Sequence, residues 1–295
     1  MNYRIVHKTT YKYKHAVSVG NHVACLTPRS LTNQSAHSQL IIEPVPVTRT
    51  DRIDYFGNNL CFFTIREPHR ELLVEARSEV VVDGDSAPLL QNLMPWEEVV
   101  RLLPEDRTRA GLEANQFRFE SPRIRTRPDF ASYARESFTA GRPFPEALFD
   151  LTQRIHRDFR FDSKATNVRT PTEDVFRKRR GVCQDFAHVQ IACLRSLNLA
   201  ARYVSGYLRT YPPPGKPRLV GADASHAWVS AFVPGAGWLD MDPTNNLVPS
   251  DGHVTLAWGR DYSDVSPLRG LILGGGSHRL RVSVDMEPVE ALSLY

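Results

Sequence analysis

The chain has 295 residues, of which 41% are apolar and 24% charged, a composition typical of a soluble globular protein with a sizeable core. Its formal net charge of +4 is spread along the whole length, so we expect no nucleic-acid-binding face. No apolar run of 18 residues occurs, so we expect neither a transmembrane helix nor a membrane partner.

The four cysteines indicate a reducing compartment. Cys25, Cys61, Cys183 and Cys193 lie far apart and form no C-x-x-C pair, which is typical of reduced thiols. The N-terminal stretch from Met1 to Val17 alternates polar with apolar residues and lacks the continuous apolar segment of a signal peptide. We therefore predict a cytoplasmic protein.

Residues 1–83 have the pattern of an antiparallel β domain. From Tyr3 to Val82 strand-forming residues recur with a period of two, and Gly57-Asn58-Asn59 supplies a turn between two of the runs. We predict a β-sandwich here. Residues 84–127 lose this period and carry several prolines and one short amphipathic piece, WEEVVRLL, so we interpret them as a connecting segment between domains.

A second domain is predicted over residues 128–295, and it begins with helices. Helix candidates run from Pro128 to Phe138 and from Pro145 to Phe159, and a third opens at Thr172. A fourth candidate, from Gly181 to Leu197, is apolar on nearly every side, which is typical of a helix in the middle of a domain.

Strands follow these helices. ARYVSGYLRT, HAWVSAFV and WLDMD are three strand candidates, separated by the proline-rich loop PPPGKPR and by the turn from Pro234 to Gly237. HVTLAWGRDY and LRVSVDMEP are two more. Because helices precede antiparallel strands without a β-α-β rhythm, we predict an α+β fold.

Cys183 lies where the apolar helix begins. There its sulfur faces unpaired backbone N–H groups and the positive end of the helix dipole, and both favour the thiolate over the thiol. This is the setting of a nucleophile. The alternative is a small core thiol, because free cysteine is among the most buried residue types.

A nucleophilic thiol needs a base and a group that orients the base. His226 begins one strand of a predicted hairpin and the returning strand ends in Asp242, so these side chains are expected to face each other across strands about 5 Å apart. Because Asp240 and Asp242 lie on the same face, alternation alone does not choose between them.

The motifs GVCQDFA, SHAW and DPT, in this order, resemble the core of bacterial transglutaminase-like proteins, which are relatives of the papain-type cysteine hydrolases. The resemblance spans most of the chain, because the β-rich N-terminal domain and the segment GRDYSDVSPLRG are also similar to that family. It implies a central Cys helix packed on an antiparallel sheet, and a triad of Cys183, His226 and Asp242. The resemblance thus selects Asp242 over Asp240.

The resemblance implies acyl transfer through a thioester. We predict a cysteine peptidase that hydrolyses a peptide, isopeptide or other amide bond in a peptide or protein substrate. One alternative is a protein-glutamine transglutaminase, in which an amine replaces water as the acceptor, and another is a non-catalytic binding module on the same fold. The Cys183 backbone N–H is expected to hold the oxyanion. Residues Arg179 to Val182 contain no glutamine in the role that papain-type enzymes give to one, so the second donor is not identified.

Four residues near the motifs are predicted to contact the substrate: Gln184, Trp228, Trp238 and Tyr262. Within GVCQDFAH, the polar side chains of Gln184, Asp185 and His188 are also interpreted as groups that tie the helix start to neighbouring loops.

We expect no metal ion and no other cofactor. Cys183, His188 and Cys193 point in different directions from one helix, so a single ion cannot meet all three. The chain also lacks a calcium-loop motif of the D-x-D-x-D-G type.

Overall fold

In the computed structural model, which describes residues 1–83, 91–210 and 224–290, the chain begins with a strand of 26 residues, β1 (Asn2–Thr27). Polar and apolar residues alternate along much of β1, and one face of the strand is buried as a result. Four following strands join it in the order β2-β5-β1-β4-β3. They are β2 (Gln34–Glu43), β3 (Thr48–Ile53), β4 (Asn59–Ile65) and β5 (His69–Val82).

The last two strands of the chain also pair with β1. β12 (Leu268–Gly274) pairs with the second half of β1, and β13 (His278–Val289) pairs with the first half. The sequence placed these residues in the second domain, 128–295, but the structure adds them to the N-terminal sheet, because β1 is long enough to pair with both. The predicted antiparallel β domain is confirmed, and its seven strands are hydrogen-bonded as one sheet.

Helices fill the middle of the chain. Those in the described residues are α1 (Trp96–Leu102), α2 (Arg109–Asn115), α3 (Pro128–Arg135), α4 (Phe144–Asp158), α5 (Thr172–Lys178) and α6 (Cys183–Ser196). The last four match the predicted helices to within three residues at each end, and α1 and α2 fall inside the predicted connecting segment. Within the described ranges no helix is both long enough and apolar enough to cross a membrane.

The second sheet has four antiparallel strands in the order β10-β9-β8-β11. They are β8 (Ala201–Leu208), β9 (Ala224–Val233), β10 (Gly237–Met241) and β11 (His253–Gly259). All four were predicted as strands, and the mixed α and β architecture is confirmed. The predicted loop PPPGKPR lies outside the described residues. Two short strands, β6 (Arg160–Phe161) and β7 (Arg180–Gly181), pair in parallel just before α6.

Helix α6 lies at the centre of the second domain. It contacts helices α3, α4 and α5 as well as strands β8 and β9. Ala227, Val229 and Ala231 alternate along β9 and share one core with the helix, because small and β-branched side chains let a helix approach a sheet closely. The predicted buried helix is therefore confirmed, and its packing fixes the position of its first residue.

Candidate active site

Cys183 is the first residue of α6, and its side chain is partly exposed, whereas Cys25, Cys61 and Cys193 are buried. Burial raises the pKa of each of the three buried thiols to about 12. These three are therefore poor nucleophiles at neutral pH. Of the four cysteines, only Cys183 has a side chain that reaches the protein surface.

Asp185 fixes the first turn of α6. Its Oδ2 accepts a hydrogen bond from the Val182 backbone N–H at 2.9 Å and another from the Thr166 hydroxyl at 2.6 Å. Gly181 makes this possible, because a Cβ at that position would lie 2.6 Å from the same oxygen. Burial raises the pKa of the Asp185 carboxyl in spite of these bonds. The structural role expected for Asp185 agrees with this geometry.

His226 and Asp242 meet beside Cys183. The Nε2 atom of His226 lies 2.7 Å from Oδ2 of Asp242, and both side chains are buried. The β9–β10 ladder ends at the pair of Val229 and Met241, so the two residues lie beyond the paired part of the hairpin and not directly opposite each other. Their side chains nevertheless make the predicted contact.

Asp242 is held by four groups besides His226. Its Oδ1 accepts hydrogen bonds from the backbone N–H groups of Thr244 at 2.9 Å and Asn245 at 3.2 Å. Its Oδ2 also accepts from the Asn245 amide at 2.7 Å and lies 3.3 Å from Nε2 of His253. Burial favours the neutral acid, but the bonds from His226 and His253 outweigh it and hold the pKa of Asp242 well below its usual range. The carboxylate is therefore fixed and ionised.

The proton affinity of His226 depends on two neighbours. Burial alone lowers the pKa of an imidazole, but hydrogen bonds with Asp242 and Cys183, and the charges of both groups, raise the pKa of His226 to about 10. Because Nε2 is directed to Asp242, Nδ1 is the ring nitrogen left for Cys183. The three side chains thus form a chain from thiol to imidazole to carboxylate.

The thiol opens into a cleft of about 280 Å³ between the two sheets. One wall comes from the second domain and the other from β1 and β13 of the N-terminal sheet. The residues that line the cleft include Cys183, Gln184, Tyr203, His226 and Tyr262 on one side, and His7, Thr9, Leu280 and Val282 on the other. The N-terminal domain and strand β13 therefore help to form the wall of this cleft.

His188 positions Tyr262 at this cleft. Its Nε2 accepts a hydrogen bond from the Tyr262 backbone N–H at 3.2 Å, and its ring packs against Tyr203. Burial lowers the pKa of His188 to about 3, so the ring stays neutral and able to accept that bond. His188 therefore has the structural role expected from the sequence. Tyr262 and Gln184, which the sequence predicts as substrate contacts, line the cleft.

Trp228 and Trp238 do not line the cleft. Both face a different cavity, because alternation along β9 and β10 turns them away from α6 while Ala227, Val229 and Leu239 face its core. Trp228 instead stacks against the His226 ring at a centroid distance of 6.2 Å, and its indole N–H donates to Asp240 at 2.9 Å. The sequence prediction that these two tryptophans contact substrate is corrected accordingly.

Several cleft residues were not found from the sequence. Tyr203 and His7 line the cleft from strands outside the three motifs, and no local pattern marks them. His253, which contacts Asp242, was not found either. Asn245 follows the DPT motif closely and could have been suspected as a partner of Asp242 from that proximity alone.

One cluster in the described residues has a spacing that could suit a metal ion. It consists of His226, Asp242 and His253, whose candidate ligand atoms lie within 4.8 Å of one another. Both imidazoles already direct Nε2 to the same carboxylate oxygen, at 2.7 and 3.3 Å. An ion here would have to replace these hydrogen bonds, so the donor set fits a hydrogen-bonded network better than a metal centre.

Two families match parts of the chain. Residues 3–81 match the bacterial transglutaminase-like N-terminal region, and residues 131–243 match the transglutaminase-like superfamily. The first range is the N-terminal sheet without its last two strands, and the second contains Cys183, His226 and Asp242.

Similar proteins cover the chain to different extents. An uncharacterized protein of Mycobacterium tuberculosis is 39% identical over 99% of this chain and 95% of its own length. A protein-glutamine gamma-glutamyltransferase of Pseudomonas aeruginosa is 36% identical over 36% of this chain and 16% of its own length. The fold also matches a crystal structure from Cytophaga hutchinsonii, provisionally named as a cysteine protease, with a TM-score of 0.74 and 21% identity over 100% of this chain and 93% of that one.

Proposed function

The chain belongs to the bacterial transglutaminase-like family, and we propose that it hydrolyses amide bonds by acyl transfer to Cys183. His226 is the base and Asp242 orients it. The observation that carries the proposal is the buried contact of 2.7 Å between His226 and Asp242, next to a partly exposed cysteine at the start of a buried helix. This arrangement supplies a nucleophile, a base and an orienting group in one place.

The reaction has two steps. In the resting site His226 already holds the proton that the Cys183 thiol has given up; the thiolate attacks the amide carbonyl carbon, and the C–N bond breaks as His226 gives this proton to the leaving amine. This leaves a thioester on Cys183. In the second step His226 takes a proton from water, the hydroxide attacks the thioester carbon, and a carboxylic acid leaves as the thiol regains its proton.

Asp242 makes these proton transfers possible. It fixes the ring of His226 through Nε2 and stabilises the imidazolium that forms after the thiol is deprotonated. The bonds from Thr244, Asn245 and His253 keep the carboxylate in place throughout. Trp228, stacked on the His226 ring, limits its rotation.

The negative oxygen of the tetrahedral intermediate needs donors. The backbone N–H of Cys183 lies at the start of α6, where N–H groups have no partner within the helix. For the second donor we propose the Tyr203 hydroxyl, because Tyr203 lines the cleft and is close enough to Cys183 for a thiolate there to raise its pKa, in addition to the larger effect of burial.

A protein-glutamine transglutaminase is the second candidate. It is favoured by the similarity of about a third of the chain to the Pseudomonas aeruginosa gamma-glutamyltransferase. The first step would be the same, and an amine would replace water in the second. The choice between them depends on which acceptor enters the cleft.

A peptide-library screen tests the proposal and separates these two candidates. The protein is incubated with the library with and without a primary amine, alongside the Cys183→Ala variant. We expect cleaved peptides without the amine, and none with the variant. Product formed only with the amine would instead support the transglutaminase, and no Cys183-dependent product under either condition would contradict both.

A further inference from the structure

A second cavity lies on the face of the β10-β9-β8-β11 sheet that is turned away from α6. It has a volume of about 450 Å³ and is separate from the cleft. The strands of this sheet form one side, and residues 31–34 with Val82 of the N-terminal domain form the other. Exposed Thr32, Asn33 and Ser250 mark its mouth, and buried Val204 and Trp228 lie deeper.

Arg202 lines this cavity and is only 9% exposed. Its guanidinium carbon lies 4.0 Å from the ring centre of Trp238 and 3.7 Å from that of Trp258. Because the indole rings cover the faces of the planar group, hydrogen bonds are left to its N–H edges. The Nε atom is buried and has no hydrogen-bond partner among the described residues.

The positive charge of Arg202 has no ion-pair partner among the residues that the structure describes. No carboxylate of these residues lies within ion-pair distance of its guanidinium, and the nearby carboxylate of Asp240 accepts a hydrogen bond from Trp228. Burial lowers the pKa of Arg202 to about 9, and the charges of Asp240 and Glu113 oppose this shift. Arg29 stacks on Trp258 at 3.5 Å, and its own charge is opposed by Asp54. An anion in the cavity would give Arg202 the partner that it lacks.

A second unpaired polar atom lies at the cavity. His253 lines it, and its Nδ1 is buried and has no hydrogen-bond partner among the described residues, while its Nε2 is directed to Asp242. Buried polar groups in native proteins rarely remain unpaired, so Nε of Arg202 and Nδ1 of His253 indicate a polar occupant.

Hydrogen bonds within the protein hold the cavity wall that the N-terminal domain forms. The Gln34 side chain donates to the backbone oxygens of Arg29 at 2.7 Å and Thr255 at 2.8 Å, and it accepts from the Thr255 N–H at 2.8 Å. These bonds join the two sheets at the cavity edge. A site with rigid walls loses little conformational entropy when it binds a ligand.

We propose that this cavity is a binding site for a small carboxylate. The carboxylate pairs in the plane of the Arg202 guanidinium, the geometry that suits a planar fork of donors. The rest of the ligand lies against the indole rings. Asp240 disfavours a dianion, so a monocarboxylate is preferred over a phosphate ester. The occupant also lies next to His253, whose Nε2 is 3.3 Å from Oδ2 of Asp242.

Calorimetric titration of the full chain with benzoate, and with benzamide as its neutral counterpart of the same shape, tests this proposal. We expect saturable benzoate binding that is at least about tenfold tighter than benzamide binding, as one charge-assisted hydrogen-bonded pair provides. Arg202→Met should reduce the benzoate affinity by a similar factor. Arg135→Gln, which removes an exposed arginine of α3, is the charge-matched control and should leave it unchanged.

Equal affinity for benzoate and benzamide, no saturable binding of benzoate, or unchanged affinity in folded Arg202→Met would overturn the proposal. If Arg202→Met does not fold, Asp240→Asn decides the question. This variant keeps an oxygen for the Trp228 indole and removes the charge that repels the ligand, so benzoate should bind more tightly. Unchanged or weaker binding in Asp240→Asn would then overturn it.

Discussion

His226 and Asp242 share a hydrogen bond of 2.7 Å in which both side chains are buried, whereas Asp240, two residues before Asp242, accepts a hydrogen bond from the Trp228 indole at 2.9 Å. Asp242→Asn should therefore lower amide hydrolysis by at least about 10²-fold, because an amide cannot stabilise the imidazolium. Asp240→Asn removes the same charge from the same hairpin and should keep most of the activity. The comparison is made on a peptide selected by the library screen. Equal losses in the two variants would contradict the assignment of Asp242.

Tyr203 is tested by its effect on two different reactions. Tyr203→Phe should reduce kcat/KM for amide hydrolysis by about two to three orders of magnitude, since removing one oxyanion donor costs about 3–4 kcal/mol. Alkylation of Cys183 by iodoacetamide forms no oxyanion, so its rate should stay within a few-fold of the wild-type rate. Unchanged hydrolysis would exclude Tyr203 as the donor.

Gly206 provides a test of packing next to the site. A Cβ at Gly206 would collide with the Val254 carbonyl oxygen and with the ring of Trp228, which stacks on His226. Gly206→Ala should therefore reduce the free energy of unfolding by about 1–3 kcal/mol and lower activity as well. Gly252→Ala is the control, because nothing lies within 4 Å of a Cβ there. Denaturant unfolding of both variants gives the comparison, and a stability of Gly206→Ala equal to that of the control would contradict this packing.

The raised pKa of His226 predicts how stability depends on pH. The folded protein holds the His226 proton up to a pKa of about 10, whereas an unfolded histidine releases it near 6.5. The group therefore stabilises the fold fully below pH 6.5, and this contribution is lost as the pH rises through about 10. The stability difference between wild type and His226→Gln should shrink over that range. Denaturant unfolding at pH 6, 8 and 10 measures it, and a constant difference would contradict the raised pKa.

The local elements of the fold could be predicted from the sequence because their signals are local. Each signal lies within one short segment of the sequence. The examples are the apolar residues of the central helix, the acidic first turn of the helix that begins at Thr172, and the alternation in ARYVSGYL. The three motifs, in their order, then predicted that Cys183, His226 and Asp242 form one site, and the structure places the three side chains together.

Long-range pairing could not be predicted in this way. The strand from His278 to Val289 pairs with residues near the N-terminus, and nothing in either segment specifies the other. For the same reason His7 and Val282 were not anticipated as walls of the cleft. Alternation placed Asp240 and Asp242 on one face of their strand, but which face of the sheet meets α6 depends on packing that a sequence period does not specify.

The reactivity of the four thiols towards iodoacetamide at neutral pH tests the central claim most directly. Mass spectrometry of samples taken over time measures the extent of labelling of Cys183 and compares it with that of the buried Cys25, Cys61 and Cys193 in the same molecule. We predict that Cys183 reacts much faster than the other three, and that His226→Ala slows its reaction while leaving theirs unchanged. Slow and equal labelling of all four thiols, or a Cys183 rate that does not respond to the loss of His226, would contradict the account.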